Sequence, residues 1–318
     1  MVEEKHHVAL IPEEHAGSRL DRCLAQLFPD YSRAKIQNWI SKEQVRVDGE
    51  LQPRRYTVKG GEQVELRIQH EVINIESQPE DIPLNIIYED EHLLVIDKVV
   101  GMVVHPGAGN HSRTLLNALL FHSEQQAALP RAGIVHRLDK DTSGLMVIAK
   151  SLEAHSSLVE SFQEHTIDRR YYAIVRGQLI SGGIIDEPIG RHPTDRIKMA
   201  VNIKGKEART HYKVVEKFQR HTWVEAKLET GRTHQIRVHF AHKKMPLVGD
   251  SVYAPRIQRV ANVPAELNEA VCAFPRQALH SYHLAFEHPV SGTALEWISE
   301  LPKDMHQLLD TLRTHSPL

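Results

Sequence analysis

Apolar positions recur with different periods along the chain, and the changes of period divide it. Between residues 18 and 69, Leu20, Cys23, Leu24 and Leu27 repeat at helical spacing, which predicts a helix with Ser18 as N-cap and Phe28-Pro29 as its end. Ser32 then caps a second helix in which Ile36, Trp39 and Ile40 share one face and Arg33, Lys35 and Gln37 lie elsewhere on the surface. Val45 to Val47 and Val64 to Ile68 alternate with period two, as strands do, and Asp48-Gly49 is a turn signal between them. Residues 70–82 (HEVINIESQPEDI) read as an acidic linker, and residues 1–17 as an N-terminal extension.

From residue 83 to 318 short strand-like runs dominate: 85–88, 93–96, 145–149, 171–175 and 223–228. Helical spacing appears at 114–121, at 152–163 and after Pro302 over 303–312. The mixture predicts an α+β fold for this larger zone. Gln235 to His239 alternates and predicts a further strand, with Ile236 and Val238 on one face and Arg237 on the other.

Composition narrows the class. At 318 residues, 41% hydrophobic and 25% charged, the chain is an ordinary folded protein with room for two cores. Cys23 and Cys272 form no CxxC pair, which argues against a disulfide framework and a thiolate metal site and suits a reducing, cytoplasmic setting. The start is acidic and its apolar run stops at Pro12, so no export signal is read there. The run from Leu93 to Val104 is broken by Asp97 and Lys98 and falls short of the roughly 20 residues a bilayer requires. The 22 histidines show no HExxH and no cysteine partners, so they are expected at the surface and in hydrogen bonds, with no metal. His105-Pro106-Gly107-Ala108-Gly109 begins a GxG but continues to Ser112, and no Walker-type GxxxxGK[ST] occurs, so no nucleotide cofactor is expected.

A net charge of -2 does not by itself point to a polyanion. Residues 18–68, however, hold ten Lys or Arg against seven Asp or Glu, a local +3. A basic helix face near Arg54, Arg55 and Lys59 suits a phosphate backbone, and it suits a plain solvated surface equally well.

The densest chemistry lies in residues 133–150, GIVHRLDKDTSGLMVIAK. Asp139 and Asp141 stand among Arg137 and Lys140 in a loop before a strand, where positive neighbours favour an ionised, nucleophilic carboxylate. A charged loop held by salt bridges would show the same pattern. Two further segments carry candidates: Arg169-Arg170-Tyr171-Tyr172, and Thr230-Gly231-Arg232-Thr233-His234-Gln235-Ile236-Arg237.

These segments resemble known families. SRLDRCLAQLFPDYSRAKIQNWISKEQVRVDGE with Lys59-Gly60-Gly61-Glu62 is similar to the S4 domain, whose second helix and hairpin grip structured RNA. That similarity implies backbone contacts from Arg33, Lys35 and Arg46. His136-Arg137-Leu138-Asp139 followed by Thr142-Ser143-Gly144-Leu145 resembles the motif of the RluA family of RNA pseudouridine synthases. The resemblance implies Asp139 as nucleophile or base at the ribose, Arg137 as the side chain that helps displace the target uridine, and Asp141 as support. It implies Tyr171 stacked on uracil and able to serve in proton transfer. It implies Arg237 paired with Asp139, where a bidentate guanidinium would orient the carboxylate. Tyr172, where relatives often carry Glu, and Val99, in place of an expected Pro, depart from the pattern.

The fold implied is a small N-terminal S4 domain over 18–69 and a catalytic domain over 83–318 built on a mixed, mainly antiparallel sheet with flanking helices. The reaction implied is cofactor-free isomerisation of flipped uridines, in the helix 69 loop of 23S rRNA. The partner is then large-subunit rRNA or a ribosomal precursor particle, with no membrane and no obligate protein partner. A synthase for tRNA or another rRNA site fits the same residues, and a catalytically inactive ribosome-associated S4 protein is the rival outside enzymes.

Overall fold

The computed structural model describes residues 3–28, 33–70, 78–107, 109–195, 198–254 and 263–318, and it divides into two units, Met1–Glu76 and Ser77–Leu318. In the first, β1 (Glu3–Leu10), α1 (Leu20–Leu27), α2 (Arg33–Ser41), β2 (Val45–Val47), β3 (Glu50–Leu51) and β4 (Gln63–His70) form two helices and a four-stranded sheet of order β1-β4-β2-β3. The helical spacing places Leu20, Cys23, Leu24, Ile36, Trp39 and Ile40 in one core with the inward side of the strands. The Asp48-Gly49 turn has φ of 50° and 80°, the left-handed pair a two-residue hairpin needs between β2 and β3.

Two expectations change here. Residues 3–17, part of the expected N-terminal extension, join this unit: β1 pairs with β4 along its length, and Ile11 is fully buried in this core. Nor does Ser18 cap α1. Arg19 takes that position without a side-chain cap, because the Arg19–Thr57 bridge and the bond from Leu20 N–H to the Tyr56 carbonyl set the helix start. Ser32 and most of the linker lie outside the described residues. A buried carboxylate fixes the helix pair: Asp21 accepts from Arg19, Arg33 and Gln37 at 2.6–3.2 Å. Burial pushes its pKa up, but those bonds prevail and bring it to about 2.

The second unit runs β5 (Ile86–Glu89), β6 (Leu93–Lys98), α3 (Leu115–His122), β7 (Ser143–Ala149), α4 (Leu152–Gln163), β8 (Asp168–Arg176), β9 (Gly183–Asp186), β10 (Ile189–Arg191) and β11 (Met199–Val201). It continues with β12 (Arg209–Lys217), β13 (His221–Leu228), α5 (Gln235–His242), α6 (Ala265–Ala273), β14 (Leu279–Glu287), β15 (Ala294–Ile298) and α7 (Lys303–His315). Its nine-stranded sheet has the order β5-β6-β7-β14-β8-β13-β12-β9, with β15 on β14. Among the described strands of this sheet, β7 and β14 alone pair in parallel, so it is mixed and mainly antiparallel. At that seam Gly144 has φ of 114°, and a Cβ there would meet the Ser281 carbonyl oxygen at 2.2 Å.

Strand alternation sorts β8 between two faces. Tyr171, Ala173 and Val175 join the core beneath the site, while Tyr172 and Ile174 face the core of α6 and α7. The residues 235–239 expected to form a strand are instead the start of α5, buried from Gln235 to Phe240. A helix surrounded by protein shows no polar period, so its alternation was accidental. The local determinants are His234 in the left-handed region at φ 58° and the Gln235 amide, which bonds Thr230, Arg232, Arg209 and Thr210.

Asp21→Asn is expected to weaken the α1–α2 pairing by about 2 kcal/mol, since charged hydrogen bonds to a buried acceptor contribute on that scale. Hydrogen exchange of the amides in 20–27 and 33–41 measures this as a roughly 30-fold loss of protection; unchanged protection would show that the cluster contributes nothing.

Candidate active site

Asp139 sits in a loop whose next three residues are each pinned by a buried polar side chain. Lys98 Nζ donates to the Lys140 carbonyl at 3.1 Å, Arg276 Nη1 to the Asp141 carbonyl at 3.2 Å, and Gln277 Nε2 to Thr142 Oγ1 at 3.0 Å. Lys98 is 1% exposed and also donates to the carbonyls of Val99 and Met102. Burial lowers its pKa to about 8 against the opposing pull of Asp139 and Asp141. Arg276 in turn forks onto Asp304 at the start of α7 at 2.6 and 2.8 Å. Leu138 packs in the core, while the Asp139 side chain beside it stays partly exposed.

His136 anchors the other end. Its Nε2 accepts from Val147 N–H at 3.0 Å, and its ring stacks on Phe162 at 4.8 Å. Burial, then the charge of Arg169, pulls its pKa down to about 3, so the imidazole is neutral, with its proton assigned to Nδ1 by that bond.

Helix α5 delivers the partner of Asp139. Arg237 Nη1 donates to Asp139 Oδ2 at 2.8 Å. The bidentate fork expected there is made with Asp250 instead, from Nε at 2.7 Å and Nη2 at 3.0 Å. Asp250 also accepts from Val252 and Tyr253 N–H, and the guanidinium lies 5.1 Å from the Tyr253 ring centroid. Against the upward push of burial, the Arg237 bonds hold the Asp250 carboxyl below its usual range. His234 approaches from the same turn, with Nε2 3.7 Å from Asp139 Oδ1 and Nδ1 2.7 Å from the Tyr253 hydroxyl. Burial lowers its pKa despite Asp139 nearby.

A cavity of about 550 Å³ opens over Asp139. Arg131, Arg137, Arg169 and Arg232 line it, and among the described lining residues Asp139 is the single carboxylate. Arg137 is exposed there and makes no hydrogen bond or ion pair among the described residues. Tyr171, 4% exposed, forms part of the wall; burial raises its pKa, so the phenol stays neutral. His105, from the segment weighed as a GxG, lines the same cavity, with a pKa pulled to about 4 by burial, Arg131 and Arg137. Val99 and Tyr172 do not line it; Tyr172 stacks on Tyr282 on the opposite face of β8.

Asp139, Tyr171, Arg237 and Arg137 thus converge. The other three candidates lie in the first unit: Arg33 is bound to Asp21, Arg46 donates to the Gly49 carbonyl at 2.8 Å, and the side chain of Lys35 falls outside the described ones. Asp250, Tyr253, His234 and Arg169 were not singled out by motif reading, although His234 and Arg169 stand within the quoted segments. Many histidines expected at the surface are instead buried, among them His136's neighbours in kind His239, His280 and His283, each hydrogen bonded. Among the described residues there is no cluster of three or more potential metal ligands, and no helix long and apolar enough to cross a membrane.

Residues 92–242 match the RNA pseudouridylate synthase family, and residues 18–64 match the S4 domain. The chain belongs to the RNA pseudouridylate synthase family, and it is an RNA pseudouridine synthase that carries an S4 domain. Among its relatives, it is 51% identical over 305 residues to the ribosomal large subunit pseudouridine synthase D of Pseudomonas aeruginosa (96% of this chain, 95% of that protein). It is 49% identical over 308 residues to that of Xanthomonas campestris (97% and 93%) and 48% identical over 314 to that of Escherichia coli (98% and 96%). The solved human RNA pseudouridylate synthase domain containing 4 aligns with a TM-score of 0.57 at 25% identity, over 72% of this chain and 93% of that one.

His136→Phe should cost roughly 1–3 kcal/mol of stability by leaving the Val147 N–H without its acceptor. In the wild type, the unfolded chain takes up a proton at 6.5 that the folded His136 refuses until about 3, so stability declines as pH falls below 6.5. Urea titrations between pH 7 and 5 should show a shallower decline for the variant; parallel curves would exclude the neutral-histidine anchor.

Proposed function

We propose that this synthase isomerises uridines of large-subunit rRNA, in the loop of helix 69 of 23S rRNA, in the cytoplasm, with Asp139 as the reacting carboxylate. The observation that carries the catalytic reading is the Asp139 carboxylate held at 2.8 Å by Arg237 beneath an arginine-lined cavity. The substrate reading is supported by the S4 match and by the names of the relatives, ribosomal large subunit pseudouridine synthase D. On this reading residues 83–318 perform the chemistry, and residues 18–69 contribute Arg33, Lys35 and Arg46 to RNA backbone contacts. Arg33 is half-engaged with Asp21, so Arg46 is the cleaner contact.

The target uridine must first leave its stack, at a cost of a few kcal/mol. Arg137, exposed and unpaired, fills the space left in the RNA, and the Tyr171 ring receives the uracil face. Asp139 then acts at the ribose, either by attacking C1′ or by removing the 2′ proton to give a glycal. On both routes the N1–C1′ bond breaks and its electron pair leaves with uracil. The base turns in the cavity and C5 bonds to C1′, breaking the Asp139–C1′ bond on the first route and with Asp139 returning its proton to C2′ on the second, and the proton lost from C5 is balanced by one gained at N1. Nothing is added or removed, so no cofactor is required. Arg237 holds and aims the Asp139 carboxylate through its 2.8 Å bond, and Asp250 holds Arg237.

Pseudouridine mapping by carbodiimide adduct and primer extension, in 23S rRNA from cells lacking the protein, tests the whole reading. The helix 69 signals should vanish and return with the wild type but not with Asp139→Asn, which should still bind RNA. Persisting signals would move the substrate to tRNA or another rRNA site, and rescue by Asp139→Asn would remove Asp139 from the chemistry. Arg46→Ala should weaken RNA binding severalfold and reduce the slope of log affinity against log salt by about one; an unchanged slope would take Arg46 out of the interface.

A further inference from the structure

Arg169 is the one arginine of the cavity wall that is both deeply buried and without a counterion among the described residues. It is 6% exposed, has no ion pair or hydrogen bond there, and its Nε is buried with no partner. Its guanidinium lies 5.0 Å from the Phe162 ring centroid and lines the cavity. A buried cation is normally paired, because its lost hydration must be replaced. The other buried arginines near the site follow that rule, Arg237 with Asp139 and Asp250, Arg276 with Asp304. Asp139, the cavity's only described carboxylate, is already committed to Arg237.

The surroundings are fitted to this guanidinium. Gly231 lets the loop before α5 approach so closely that a Cβ there would stand 2.9 Å from Arg169 Nη1. Arg169 and Tyr171 lie two apart on one strand and point to the same face, about 7 Å from each other along β8. Phosphates are anions that a planar guanidinium receives through two parallel bonds.

We propose that Arg169 is a phosphate-binding residue, its guanidinium taking a backbone phosphate beside the uridine seated at Tyr171. The inference rests on the reading of this cavity as the place where a flipped RNA nucleotide sits. In the free enzyme Arg169 is an unpaired cation, and the RNA supplies the missing anion. It does not touch the bonds that break and form; it fixes how deep and in what direction the nucleotide enters.

The test compares the wild type with Arg169→Met and Arg169→Lys on a short RNA stem-loop that the wild type isomerises, with steady-state rates read between about 50 and 200 mM salt. Arg169→Met should raise KM tenfold or more, with kcat affected less, and should reduce the slope of log(1/KM) against log salt by about one. Arg169→Lys should recover part of the loss. A single methylphosphonate at one phosphate flanking the target uridine should weaken the wild type by a similar factor and leave Arg169→Met unmoved. Free Arg169→Met should melt no lower than the wild type, since it loses an unpaired charge. Unchanged KM and salt slope, or methylphosphonate losses equal in the two proteins, would overturn the proposal. So would a lower melting temperature with kcat alone reduced, the mark of a structural residue. If the helix 69 stem-loop is no substrate for the wild type, that counts against the rRNA target alone, and the same variants are read on the RNA that is.

Discussion

One guanidinium, that of Arg237, organises everything around it. Three of its nitrogens are committed, two to Asp250 and one to Asp139. Asp250 is itself tied to the backbone of Val252 and Tyr253, so the position of Arg237 is set before Asp139 arrives. Losing one member of such a buried set leaves the others unpaired, which typically costs roughly 3–5 kcal/mol. The geometry therefore tolerates little change, and it leaves Asp139 Oδ1 without a short hydrogen bond among the described residues.

The loop bearing Asp139 shows the same economy of freedom. Lys98, Arg276 and Gln277 come from two different parts of the chain and bind three consecutive residues after Asp139. Each is buried and satisfied by protein groups, so each acts as a strut. The arginines of the cavity are the opposite kind of charge. Four guanidinium groups around one cavity repel one another, and their repulsion is relieved when a polyanion enters and releases its counterions. Struts hold the Asp139 carboxylate still, while the cavity wall is left charged.

Much of this was legible in the residues, for reasons that differ from place to place. Helix α4 was visible because one face is solvated and its apolar positions keep a clean period. The α1–α2 pair was visible for the same reason. Helix α5 was misread because it is buried on nearly every side, so the residues that reveal a helix by contrast are missing. Motif reading found Asp139, Tyr171 and Arg237, which lie in dense segments. It passed over Asp250, whose contribution depends on a contact across 13 residues, and Lys98, which bonds to a carbonyl 42 residues away. Pairings of that kind leave no periodic trace. The fork between Arg237 and Asp139 failed as an expectation because a second carboxylate, unseen in the linear pattern, competes for the same nitrogens.

The place of β14 in the sheet carries a consequence for how the enzyme is made. Residues 279–287 lie between β7, which follows the Asp139 loop, and β8, which bears Tyr171. The two halves of the site are therefore neighbours only through a strand synthesised after both. Until residues 276–304 have left the ribosome's exit tunnel, this seam has no central strand, and Arg276 cannot brace the loop against α7. A nascent chain can complete its first unit once β4 has been made to pair with β1, whereas the sheet of the second unit needs β14. The two halves of the site therefore come together only after β14 has been made.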